Sequence, residues 1–124
     1  MTDLLFAYGT LNPELAPPEI APIVGRFVRL GPATVIGRLF DLGPYRGAVL
    51  EPVGGKPITG TLYRVPEFAI FAPALDAYEG IDPLNESLSL FTRRQAAAEF
   101  GGKTVDAWIY VYNGDTSGLT PING

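Results

Sequence analysis

Glycine and proline breaks are what most restrict the fold of this chain. Pro13, Pro17, Pro18 and Pro22 fall within ten residues. Each removes a backbone donor and fixes φ, so a single turn over Glu19 to Val24 is the most helix that segment allows. Further on, Gly43-Pro44, Pro52, Gly54-Gly55, Gly80 and Gly101-Gly102 end one stretch after another. The pieces between them are mostly of strand length. Leu4 to Tyr8 reads as a buried strand. Ala33 to Gly43 reads as a strand with a bulge or a close backbone approach at Gly37. Arg46 to Pro52 is a short apolar strand, Gly54-Gly55 a hairpin turn, and Ile58 to Val65 an alternating strand. Leu88 to Phe100 reads as extended. Thr104 to Tyr112 alternates most cleanly, with Val105, Ala107, Ile109 and Val111 on one face and Asp106, Trp108, Tyr110 and Tyr112 on the other. From Asn113 the chain reads as a loose tail.

One stretch has helical spacing. Phe68, Phe71, Leu75 and Tyr78 recur at i, i+3, i+7 and i+10. Pro73 interrupts the hydrogen bonding, so the regular part is predicted to begin near Ala72, and Gly80 supplies a stop. The "IDPLNES" that follows is a loop. About six short strands and one helix predict an α+β fold, a small mixed β-barrel with one main helix and short flanking helical turns. Neither repeat nor linker divides the chain, so residues 1–124 are expected to form one domain.

Composition narrows the chemistry more than the fold. The chain has no Cys and no His. That excludes cysteine nucleophiles, disulfides, Ser-His-Asp triads and zinc sites built on His or Cys. Acid–base work falls to Asp, Glu, Lys or Tyr, or to the substrate itself. The net charge is −4 and Arg93-Arg94 is the one basic pair, so the basic stripe of a nucleic-acid binder is missing. No apolar run approaches the roughly 20 residues of a membrane helix, and a strand starting near Leu4 leaves no room for a signal peptide. The expected location is the cytoplasm.

Two stretches stand out within that inventory. In "LDAYEGIDP", Asp76 and Glu79 are helical neighbours three residues apart. Glu79 sits just before Gly80, at the negative end of the helix dipole, where a carboxylate is disfavoured by about 0.3–1 kcal/mol. Partial burial would raise its pKa further, toward what proton transfer at neutral pH needs. The plainer local reading of Glu79, and the one the local sequence favours, is a solvated carboxylate at a frayed helix end. In "AYGTL", the strand stops at Gly9 and a hydroxyl follows at Thr10. The freed amides make either an anion-binding concavity or an ordinary strand-ending turn. Tyr110 is placed to donate its hydroxyl into a pocket, Arg93 to pair with Asp76 or Glu79 or to sit in solvent. Asp76, Glu79 and Asp82 would make only a weak divalent-ion site.

Taken in order, "FAYGTL", "ITGTLYRV", "LDAYEGIDP" with "SLFTRR", and "DAWIYVYN" resemble the γ-glutamyl cyclotransferase-like family over roughly Leu4 to Asn113. The resemblance implies a small mixed barrel with flanking helices. It implies cyclisation of a γ-glutamyl amide to 5-oxoproline with release of the amine or amino acid, using neither cofactor nor metal. Carried over by residue, the substrate-binding loop falls on Tyr8, Gly9, Thr10 and Leu11, whose backbone would hold the substrate's α-carboxylate end. The catalytic Glu of the helix-closing Glu-Gly pair falls on Glu79. The implied partner is a small-molecule γ-glutamyl substrate, with no nucleic acid and no membrane. Phe91 departs from the Tyr that relatives often carry there. Three readings follow: an enzyme, a module that binds a small carboxylate without turnover, and a barrel that mediates protein contacts. The glycine loop and Glu79 favour the first two. The group on the γ-glutamyl unit and the oligomeric state are left open by the sequence.

Overall fold

The computed structural model describes residues 2–8, 18, 21–43, 46–81, 84 and 89–122. In chain order the elements are β1 (Leu4–Ala7), α1 (Ala21–Val24), β2 (Val28–Asp41), β3 (Arg46–Leu50), β4 (Lys56–Arg64), α2 (Phe68–Tyr78), β5 (Phe91–Phe100), β6 (Lys103–Tyr112) and β7 (Thr120–Ile122). Strand β1 pairs antiparallel with β4 and parallel with β6; β4 pairs with β2, β2 with β5, and β5 with β6, all antiparallel. Five strands therefore close on themselves, and the β1–β6 pair makes the barrel mixed. Strands β3 and β7 extend the sheet from the far half of β2. The expected α+β barrel with one main helix is what forms.

Period-2 alternation gives the barrel two apolar faces. Inside, Phe6, Val35, Ile58, Leu62, Ala107, Ile109 and Val111 pack together. Outside, Leu5, Ala7, Tyr63, Val65 and Tyr110 from β1, the β4 end and β6 meet Phe68, Ala72 and Leu75 of α2. Leu75 is fully buried, which stabilises by about 1.5–3 kcal/mol relative to leaving it exposed. This outer layer fixes the end of α2 against β6, where the candidate site lies.

Three expectations are corrected. Helix α2 begins at Phe68 rather than near Ala72, with Pro73 inside it. Pro73 forfeits one hydrogen bond, to the Ala69 carbonyl, and burial of Phe68 and Ala72 outweighs it. The tail after Asn113 is not loose, because β7 pairs with Leu39–Asp41 and Ile122 packs on the barrel interior. Strand β2 starts at Val28, ahead of Ala33. It passes Gly31-Pro32 through an irregularity between Arg29 and Gly31, where Gly31 takes φ 143°. The "IDPLNES" loop falls mostly outside the described residues, as do Glu19 and Pro44.

Gly37 makes a close approach where the partner strand changes: it is the last β2 residue in register with β4, opposite Lys56, and the first in register with β3, opposite Leu50. A Cβ there would lie 2.3 Å from the Val49 carbonyl oxygen. Backbone cannot step aside as a side chain can. Gly37→Ala is therefore expected to cost about 1–3 kcal/mol, seen as a lower urea midpoint at unchanged slope. An unchanged midpoint would show that β3 yields freely.

Candidate active site

The site is built where α2 ends. Glu79 closes the helix, and Gly80 follows at φ 80°, a left-handed position that suits glycine. The Gly80 amide donates to the Ala77 carbonyl (3.1 Å) and the Ile81 amide to the Asp76 carbonyl (3.0 Å). This is the paired bonding of a Schellman cap, and it fixes the direction in which the Glu79 side chain leaves the helix. The Leu90 amide donates to the Gly80 carbonyl (3.2 Å), and the Asn113 amide to the Leu90 carbonyl (3.0 Å). The helix end is thereby tied to the start of β5 and the end of β6.

Asp76, one turn earlier, is held from two strands. The Tyr110 hydroxyl on β6 donates to Asp76 Oδ1 at 2.6 Å, and Arg93 on β5 donates from Nε to the same oxygen at 3.0 Å. A second Arg93 contact, from an Nη to Oδ2, spans 3.4 Å. The pair is largely shielded, with side-chain exposures of 24% for Arg93 and 22% for Asp76, so it is not a screened surface bridge. The Arg93 guanidinium also lies 4.3 Å from the Trp108 ring centroid and 5.3 Å from that of Phe68, and these two rings stack. Of the three fates open to Arg93, the structure selects the Asp76 pair.

Tyr8 directly follows β1. Its hydroxyl donates to the Tyr110 carbonyl and accepts from the Ala48 amide at 3.0 Å. Its own carbonyl accepts from an Arg46 Nη at 2.7 Å. Tyr8 is thus bolted to β6 and β3. Gly9, Thr10 and Leu11 lie outside the described residues.

The electrostatics follow from this crowding. Burial, and then the Asp76 charge, push the Glu79 carboxyl from its ordinary 4.5 up to about 7. Among the described residues no hydrogen-bond donor offsets that desolvation. Burial holds the Tyr8 and Tyr110 phenols far above the usual tyrosine range, and the Glu79 charge adds to both. The Glu79 charge thus acts on both phenols. A carboxyl group that exchanges its proton near neutrality, faced by two phenols that keep theirs, is equipped for proton transfer.

Tyr110 differs from the expectation in one respect. Its hydroxyl proton is directed to Asp76, so what it offers elsewhere is an acceptor oxygen. Sequence reasoning did not reach Arg46 or the double role of the Tyr8 hydroxyl. Both partnerships span 38 to 102 residues and leave no local spacing signal. Phe91 is buried and meets Tyr112 edge-on. Among the described residues no group of three carboxylates gathers as a metal site, and Asp82 lies outside them. No helix there is long and apolar enough to cross a membrane. A separate open cavity of about 590 Å³, lined by Arg38, Phe40, Leu50, Leu119 and others, contains none of these residues.

A family model described as "Gamma-glutamyl cyclotransferase, AIG2-like" matches residues 5–124. No curated protein sequence matches the chain significantly. Several solved structures share the fold. YkqA from Bacillus subtilis is 23% identical with a TM-score of 0.65, over 91% of this chain and 36% of its own. This chain thus spans about a third of that protein's length. An AIG2-like protein from Mus musculus is 18% identical with a TM-score of 0.65, over 88% of this chain and 76% of its own. A structure named gamma-glutamyl cyclotransferase is 14% identical with a TM-score of 0.63, over 95% of this chain and 68% of its own. At such identities the likeness speaks for the fold.

Proposed function

This chain belongs to the gamma-glutamyl cyclotransferase, AIG2-like family, and from that premise we propose that it is a cofactor-independent cyclotransferase acting on a γ-glutamyl amide. The observation that carries the reading is Glu79, a partly buried carboxyl poised at about 7 where the helix ends against β6. A γ-glutamyl amide contains its own nucleophile, an α-amine held as ammonium at neutral pH. Ionised Glu79 takes a proton from that ammonium. The freed nitrogen attacks the γ-carbonyl carbon, forming the ring C–N bond. The bond from that carbon to the departing nitrogen then breaks as Glu79 passes its proton on. The attacking nitrogen sheds two protons in all and the departing nitrogen gains two, so the products are 5-oxoproline and an ammonium. One carboxylate performs both transfers, which suits a chain without His or Cys.

In this reading Tyr8 acts through the bonds that fix where its loop begins, and Gly9, Thr10 and Leu11 carry the α-carboxylate contacts. Tyr110 walls the pocket and offers its oxygen. Folding an extended substrate into attack geometry is worth several kcal/mol. The test is a screen of γ-glutamyl dipeptides and γ-glutamyl amines for release of 5-oxoproline. Turnover of at least one compound is expected. If 5-oxoproline raises the melting temperature while no compound is turned over, the pocket binds without reacting and the enzymatic reading fails.

A further inference from the structure

Asp76 has no part in the reaction as written, yet among the described residues it is a firmly held charged neighbour of Glu79. Two donors from two strands converge on one of its oxygens, and its cation is in turn clamped over Trp108 and Phe68. It stands three residues before Glu79 on the last turn of α2, where side chains three apart are neighbours. Among the described residues the other titratable groups on which the Glu79 charge acts are Tyr8, just after β1, and Tyr110 from β6. The Arg93 charge from β5 is directed at Asp76, and that of Arg46 from β3 at the Tyr8 carbonyl.

We propose that Asp76 is a positioning residue for Glu79: pinned by Tyr110 and Arg93, its carboxylate is the fixed negative charge against which Glu79 holds and releases its proton. The pinning matters because a mobile carboxylate would swing away and relieve the repulsion. A like charge so near favours the protonated form of Glu79, and the Asp76 charge is the second cause of that group's raised proton affinity, after burial. Asp76 also accepts the Tyr110 hydroxyl hydrogen bond, so the phenol does not donate to Glu79 and lower its affinity. The arrangement lets a single carboxyl be base and then acid near neutral pH.

The kinetic consequence rests on the reading of Glu79 as the base; the electrostatic part does not. The experiment is therefore a titration followed by the side-chain carboxyl ¹³C resonances, alongside turnover. In Asp76→Asn, which keeps the shape and an acceptor for Tyr110, the Glu79 midpoint should fall by about one pH unit. The acid limb of kcat/KM should fall with it. In the unsubstituted protein the Asp76 resonance should show a step at the Glu79 midpoint, because coupling between two sites is mutual. An unmoved Glu79 midpoint in folded Asp76→Asn overturns the proposal. So does the absence of the step in the unsubstituted protein, which decides the matter even if the variant does not fold. Loss of the cyclotransferase reading would appear separately, as no turnover with both titration results intact.

Discussion

Glu79→Gln is expected to keep the barrel and to lower kcat/KM for a γ-glutamyl substrate by about 10²–10⁴-fold, the usual worth of a positioned acid–base group. The two halves of that expectation have different sources. The fold should survive because Glu79 serves the helix cap through its backbone: its amide bonds the Leu75 carbonyl, and the φ > 0 residue that makes the Schellman turn is Gly80. Gln preserves both the backbone and the side-chain shape. Activity should go because an amide cannot take the ammonium proton, and among the described residues Asp76, its neighbour on the helix, is not free to replace it. The Asp76 oxygens are engaged by Arg93 and Tyr110. The check is 5-oxoproline release beside circular dichroism and a melting curve. Turnover within threefold of the unsubstituted protein, with a matching melting temperature, would place the base elsewhere.

How far the sequence anticipated this site depends on whether each signal was local. Alternation in Thr104 to Tyr112 assigned both faces of β6, because a strand buried on two sides must alternate between two cores. Glu79 stood out because a carboxylate beside a helix-ending glycine is a local anomaly, but its proposed role came from the family resemblance rather than from that local signal. The start of α2 was not legible, because Pro73 argues against a helix through a local rule, while the burial that overrides it comes from β1, β4 and β6. Strand β7 was hidden for the same reason: Thr120–Ile122 has little strand character, and its pairing with β2 spans about eighty residues. The Asp76–Tyr110–Arg93 cluster lies between these cases. Each member was noticed, but the choice among partners for Arg93 needed β5 and β6 laid in register. That register places Arg93 opposite Tyr110 and next to Trp108's strand neighbours, from which its guanidinium reaches the Asp76 of a helix 17 residues upstream.

The acid limb of kcat/KM is expected near pH 7, where Glu79 loses its proton in the free protein. The same group imposes a stability trend whose sign can be worked out. Its folded pKa, about 7, is above its ordinary 4.5, so between those values the folded state binds more protons than the unfolded state. Stability contributed by the protonated group is fully present below about 4.5 and is lost as pH rises through about 7. At about 1.4 kcal/mol per pH unit, the interval between 4.5 and about 7 sets a penalty of at most about 3 kcal/mol in the ionised protein. Glu79→Gln escapes that penalty. Its stability relative to the unsubstituted protein should thus be near equal at pH 4 and should climb through pH 5 to 7. By pH 8 it should be level or higher, by up to about 3 kcal/mol. Urea unfolding of both proteins at pH 4, 6 and 8 reads the difference directly. A variant that is instead less stable at pH 8 than at pH 4, relative to the unsubstituted protein, would mean that ionised Glu79 holds the fold together as an ion-pair partner. A base committed to such a pair could not exchange protons with a substrate, and Glu79 would lose its assigned role together with the pH limb.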